Sequence, residues 1–174
     1  AEDCFMGKYK GVKVIFSEAR LYKKQKNTKV FDGVFVLMEI PSEVIEGHTI
    51  ITADMKAANA WENSRWQKLD RVSVPLEDEQ KNRFVIYSDN PETAQLIIGE
   101  RLLKELAEAS MVFKDAPLSA VLFRKKYIFM AIPYDGDMFE PSDIAAPVAT
   151  QEHIDTMKTE IDKLLEIIDV FELY

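Results

Sequence analysis

The last stretch of the chain constrains it most. From Thr150 onward, Ile154, Met157, Ile161, Leu164, Leu165, Ile168 and Phe171 recur at three- and four-residue intervals. That spacing predicts a helix running to the end with one apolar stripe. Glu152 and Asp155 fall in its opening turns, where acids suit the positive end of the helix dipole. A striped helix needs an apolar surface to lie on. Its repeat is short for a free-standing coiled coil, so the expected dock is a sheet of the same chain.

The rest of the sequence supplies strands for that sheet. Phe5 to Lys24, rich in β-branched and aromatic residues and with glycines at Gly7 and Gly11, reads as extended chain with bends, with Val12, Val14 and Phe16 on one face and Lys13, Ile15 and Ser17 on the other. Gln25-Lys26-Asn27-Thr28 reads as a turn, and Val30 to Ile40 resumes strand character until Pro41, which makes a hairpin. Further strands are expected at Thr49–Ala53, Leu69–Leu76, Arg83–Tyr87, Ala120–Phe123 and Tyr127–Ile132, the last two joined by the basic turn Arg124-Lys125-Lys126. The stretch Lys56–Lys68, with Trp61 and Trp66, fits a loop or a short helix equally. Ser88-Asp89-Asn90-Pro91-Glu92 is a helix start: capping side chains, a proline at an early position and an acid in the first turn. Ala94, Ile97, Ile98, Leu102, Leu103 and Leu106 continue it, and Gly99 is placed to bend or divide it, since glycine in a helix interior costs about 1 kcal/mol relative to alanine. The expected fold is one α+β domain over 1–174: an antiparallel sheet with two main helices packed on it, the C-terminal one amphipathic.

Apolar residues at 47% and charged residues at 30% of 174 suit one globular core. The lone Cys4 makes no internal disulfide, and with His48 and His153 as the only histidines there is no metal-ligand spacing, so neither cofactor nor metal is expected. No apolar run approaches the roughly 20 residues a membrane span needs, which predicts a soluble chain. The net charge of −8 is unevenly spread: Lys8 to Lys29 holds eight basic residues against Glu18 alone, and Gln151 to Tyr174 holds seven acids against two lysines. Acidic overall charge argues against a nucleic-acid platform.

Three residues are the catalytic candidates. Glu18 and Glu39 lie on strands able to pair, and two close carboxylates do acid–base work when one is held protonated; the competing reading is cross-strand pairing with Arg20 or a lysine. His48, at a strand edge, is the third, in an enzyme whose site would be assembled across the sheet. Two binding readings stand beside this. Phe5, Tyr9, Phe16 and Tyr22, interleaved with lysines, have the composition of a single-strand nucleic-acid hairpin. Lys8, Lys10, Lys13, Lys23, Lys24 and Lys26 suit an anionic membrane surface.

Several segments together resemble a bacterial family, the domain of unknown function 3137. They are Phe5-Met6-Gly7, Val14 to Ala19, Phe31-Asp32-Gly33-Val34-Phe35, Phe84 to Asp89 with Glu92 and Ala94, Tyr127 to Ile132, and Ile167-Ile168-Asp169. After Ala94 the family pattern leads one to expect an arginine and an aromatic, where this chain reads Gln95-Leu96-Ile97-Ile98-Gly99. The resemblance implies membrane helices ahead of the soluble domain, and hence a domain trimmed from a longer, anchored protein. The functional expectation is a membrane-proximal interaction or scaffolding domain with an unknown protein partner. It would lie on the cytoplasmic side if an anchor precedes it, because basic residues near a membrane helix favour that side, and in the cytoplasm otherwise.

Overall fold

A computed structural model describes residues 4–23, 27–40, 43, 45–53, 68–74, 83–135 and 150–171. The elements in chain order are β1 (Cys4–Tyr9), β2 (Val12–Lys23), β3 (Thr28–Glu39), β4 (Thr49–Thr52), β5 (Asp70–Arg71), β6 (Val85–Ser88), α1 (Pro91–Ile97), α2 (Glu100–Val112), β7 (Ser119–Phe123), β8 (Tyr127–Pro133) and α3 (Gln151–Phe171). The strands form one eight-stranded antiparallel sheet in the order β1-β2-β3-β8-β7-β4-β6-β5. The fold is therefore α+β, as the sequence pattern predicts, with the C-terminal helix in place.

Alternation along the strands sorts the sheet into two faces. Val14, Phe16, Val36, Met38, Ile128, Met130, Ala120, Leu122, Ile51 and Ile86 share one face and one core with Leu102, Leu103 and Leu106 of α2 and Leu164, Ile167 and Ile168 of α3. This is the helix face, and the α3 stripe docks there. On the far face, Ile15, Phe35, Leu37, Val121 and Phe129 are only half-buried. Phe35 stacks on Phe31 with ring centroids 4.6 Å apart and tilts against Phe129 at 5.1 Å.

Local chemistry accounts for the boundaries. The Asn90 side chain accepts the Thr93 N–H at 3.3 Å and Pro91 opens α1. Gly99 does divide the helix pattern, ending the α1 turn and becoming the N-cap of α2, so there are three described helices where two main ones were expected. Gly33 has φ +153, and an added Cβ would sit 2.1 Å from the Ile132 carbonyl oxygen, so only glycine lets β3 pass β8 here. Two expectations differ. The opening stretch is not one bent strand but a hairpin of its own, β1 and β2, closed at Lys10-Gly11, where both residues have positive φ. Of the Leu69–Leu76 strand, only Asp70 and Arg71 join the sheet among the described residues. Trp61 and Trp66, Lys24 and Lys26, and residues 136–149 lie outside the described residues.

Candidate functional site

Register decides where the charged residues go. Lys13 pairs with Glu39 across β2 and β3, and Glu39 pairs with Tyr127 across β3 and β8. The β1–β2 turn and the β7–β8 turn therefore emerge at the same end of the sheet, here called the near end. Glu39 bridges them: its carboxylate accepts from Lys126 Nζ at 2.6 Å and lies 3.4 Å from Lys13 Nζ. Lys125 pairs with Glu43 at 2.9 Å, with Glu46 in electrostatic reach, and Lys10 pairs with Asp169 of α3 at 2.8 Å. Lys8 and Arg124 pair with no acid among the described residues.

Electrostatics at this end follow from these contacts. The Lys126 hydrogen bond holds the Glu39 carboxyl below its usual range, and the Lys125 hydrogen bond does the same for Glu43. Both ammonium groups are pushed up in turn by the hydrogen bonds they donate. Lys13 and Lys125 are exposed and the Lys126–Glu39 pair is partly buried, and exposed pairs such as Lys125–Glu43 contribute little to stability. Arg124 and Lys125 also sit at φ 47 and 70, a backbone region that disfavours L side chains.

The opposite, remote end of β2 and β3 is built differently. Arg20 and Lys29 both converge on Asp32, at 3.3 and 2.7 Å, and the Lys29 hydrogen bond holds the Asp32 carboxyl low. Lys23 is exposed at that end. Ten residues of strand, roughly 33 Å, separate it from Lys13. The six lysines singled out for an anionic surface are thus split: Lys8, Lys10 and Lys13 lie at the near end, and Lys23 at the remote end.

The three catalytic candidates are not brought together. Glu18 is 7% exposed on the helix face of β2, opposite Val34. Glu39 is on the far face, and its partner Lys13 lies five residues, roughly 17 Å, along the strand from Glu18. His48 stands just ahead of β4, three ladder spacings or roughly 14 Å from β3. There it binds Asp89: its N–H donates to Oδ1 at 2.6 Å and its ring Nδ1 lies 3.2 Å from Oδ2. Gly47 makes this possible, with φ +73 and no Cβ to strike Asp89. The aromatics of the opening hairpin share no exposed platform either, since Phe16 is in the core and exposed Tyr22 is near the remote end.

One cluster went unread in the sequence. Lys163 of α3 reaches Glu105 at 3.3 Å and Glu108 at 2.5 Å on α2, and also Glu166. Burial alone would lower the Lys163 pKa, but hydrogen bonds to Glu108, Glu166 and Glu105 outweigh it and raise the group well above its ordinary value. The three carboxylates lie close enough to hold a cation, and the ammonium of Lys163 already fills that role, tying α3 to α2. Glu105/Glu108 and Lys163/Glu166 at i,i+3 were the available signal, but their meeting depends on how the helices dock.

No described helix is long and apolar enough to cross a membrane. The model of the family described as "Protein of unknown function (DUF3137)" matches residues 29–173. A search of the curated proteins finds no match. Among solved structures, the chain is similar to the crystal structure of the mycobacterial trehalose monomycolate transport factor A, with a TM-score of 0.47 at 9% identity, over 96% of this chain and 71% of that one.

Proposed function

The chain belongs to the DUF3137 family of proteins of unknown function, and from that premise we propose that it is an interaction domain held against the anionic, cytoplasmic face of a membrane by the near end of its sheet. One observation carries this reading: two basic turns more than a hundred residues apart in sequence, Lys10 and Arg124-Lys125-Lys126, emerge together beside Lys8 and Lys13. Of the six basic side chains there, Lys10, Lys13, Lys125 and Lys126 pair directly with Asp169, Glu39 or Glu43, and Lys8 and Arg124 pair with no acid among the described residues. A juxtamembrane basic cluster gains about 1 kcal/mol per Lys or Arg from an anionic leaflet. The far face, with its half-buried Phe31, Phe35 and Phe129, is left pointing along the membrane, where a protein partner can reach it. An interaction role, not a catalytic one, is favoured by the way Glu39, Glu43 and Asp32 are each engaged locally with an opposite charge and His48 is held by the Asp89 side chain.

Fractionation of the full-length natural protein tests the reading. It predicts pelleting with membranes, retained in part through an alkaline wash if the anchor implied by the family resemblance precedes the domain. Quantitative recovery in the soluble fraction at low ionic strength would sink the membrane-proximal role.

A further inference from the structure

The two edges of the sheet are unlike. At one edge, β5 is two residues long and both are charged, Asp70 and Arg71, a common way of blunting an edge. At the other, β1 runs for six residues, Cys-Phe-Met-Gly-Lys-Tyr, with Met6 78% and Phe5 50% exposed. An apolar edge strand of that length is a template for another strand.

Hairpin geometry identifies which backbone groups it offers. Tyr9 and Val12 close the two-residue Lys10-Gly11 turn and so form a hydrogen-bonded pair. Alternation then turns the N–H and C=O groups of Tyr9, Gly7 and Phe5 toward β2, and those of Lys8, Met6 and Cys4 outward. These outward groups have no partner among the described residues. Side-chain room lies on both sides of the same strand. On the helix face a hollow of about 490 Å³ is lined by Phe5, Gly7, Phe16, Met157 and Ile161. On the far face one of about 570 Å³ is lined by apolar Met6, Leu37 and Tyr127 together with charged Lys8, Lys13 and Glu39. Gly7 borders both, and a Cβ added there would meet nothing within 4 Å.

We propose that β1 accepts an added strand from a partner protein: an extended, alternating segment that places its polar residues, an acid among them, against Lys8 on the far face and its apolar side chains in the helix-face hollow beside Gly7. Charge selects this occupant. Lys8 lies directly opposite Lys13, an unfavourable like-charge pair. The nearby Glu39 carboxylate is already engaged by Lys13 and Lys126, and β1 itself, Cys4–Tyr9, contains no acid. An acid on an added strand neutralises the position. Backbone hydrogen bonds then give affinity and the alternate side chains give specificity, as in other strand-addition complexes. The inference goes beyond the membrane role and needs no lipid.

The test uses the isotope-labelled protein in lipid-free buffer with two synthetic peptides of alternating valine and threonine, one carrying a central glutamate and the other a lysine in its place. The glutamate peptide is expected to slow amide exchange at Met6 and Lys8 at least tenfold and to bind at least tenfold tighter than the lysine peptide. Met6→Pro, which removes an outward N–H that the sheet does not use, abolishes binding; Lys8→Glu reverses the preference and keeps the assay decisive should the proline variant not fold. Equal binding of the two peptides, protection confined to another part of the molecule, or an unchanged preference in Lys8→Glu overturns the proposal. Concentration-dependent protection of Met6 and Lys8 without peptide would assign the edge to a second copy instead.

Discussion

The two ends of the long β2–β3 ladder handle positive charge in opposite ways. At the remote end, Arg20 and Lys29 share the single carboxylate of Asp32, and each salt bridge is satisfied within one hairpin. At the near end the lysines come from two hairpins, and Glu39 joins them by taking both Lys13 and Lys126. The difference teaches that a basic stretch of sequence is not a basic patch. Register cuts the opening run of lysines in two, and it reinforces one half with a turn that lies far away in the chain.

The largest effect expected from breaking this contrast is on lipid binding. Reversing Lys10, Lys13 and Lys125 to Glu should weaken binding to phosphatidylglycerol vesicles about a hundredfold or more, whereas Lys23→Glu with Lys29→Glu should change it less than about threefold, both read by flotation at low salt. Next in size, Glu39→Gln removes the shared acid and frees two ammonium groups. Flotation should strengthen about fivefold, and an unchanged affinity would mean that Glu39 does not restrain the near end.

Arg124→Gly sharpens the comparison from the side of the backbone. Relief of the left-handed conformation at φ 47 should raise stability by about 0.5–1 kcal/mol, while vesicle affinity falls about fivefold. Denaturant melts and flotation on the same sample check both. Lys10, Arg124 and Lys125 carry this conformational cost at the near end, and Asn27, Lys114 and Asp115 carry it elsewhere.

Much of the fold was legible because it rests on local periodicity. The Val12-Val14-Phe16 face, the Asn90-Pro91 helix start, the break at Gly99 and the α3 stripe are all short-range patterns; the first three occupy the places their patterns imply, and the stripe is buried at Leu164 and Ile168, with Ile167 beside it, while Ile154 is exposed. The β1–β2 hairpin was harder to see, because Lys10-Gly11 lacks the Asn-Gly or Asp-Gly signature and Lys10 occupies a position favouring Gly, Asn or Asp. The candidate site was legible only in its ingredients. Lys13, Glu39 and the Arg124-Lys125-Lys126 turn were each visible, but their meeting depends on β3 pairing with β8, a contact between distant segments that no local pattern specifies. Glu18 and Glu39 invited a carboxylate pair for the same reason. They do sit on paired strands, but in a register that sends them to opposite faces.

The smallest expected effect is the response to acid, and its sign follows from the lowered carboxyl pKa values. Glu39 and Glu43 contribute to the near end above their ordinary value of 4.5 and lose that contribution as pH falls through their lower folded values. Asp32 does the same at the remote end, from 3.8 downward. Both ends should keep their pairs between about pH 5 and 7, with flat vesicle binding. Further acidification should raise near-end affinity as Glu39 and Glu43 protonate, a trend that carboxyl resonances followed alongside flotation would track.

Orientation at the bilayer is the most direct test of the account. With Cys4→Ser as background, a fluorophore is placed at the near end through Glu43→Cys or at the remote end through Thr28→Cys, and vesicles carry a lipid-attached quencher. The account predicts strong quenching of the near-end probe and little of the remote one, the two being separated by roughly the length of β2. Equal quenching at both ends, or stronger quenching at Thr28→Cys, would contradict it.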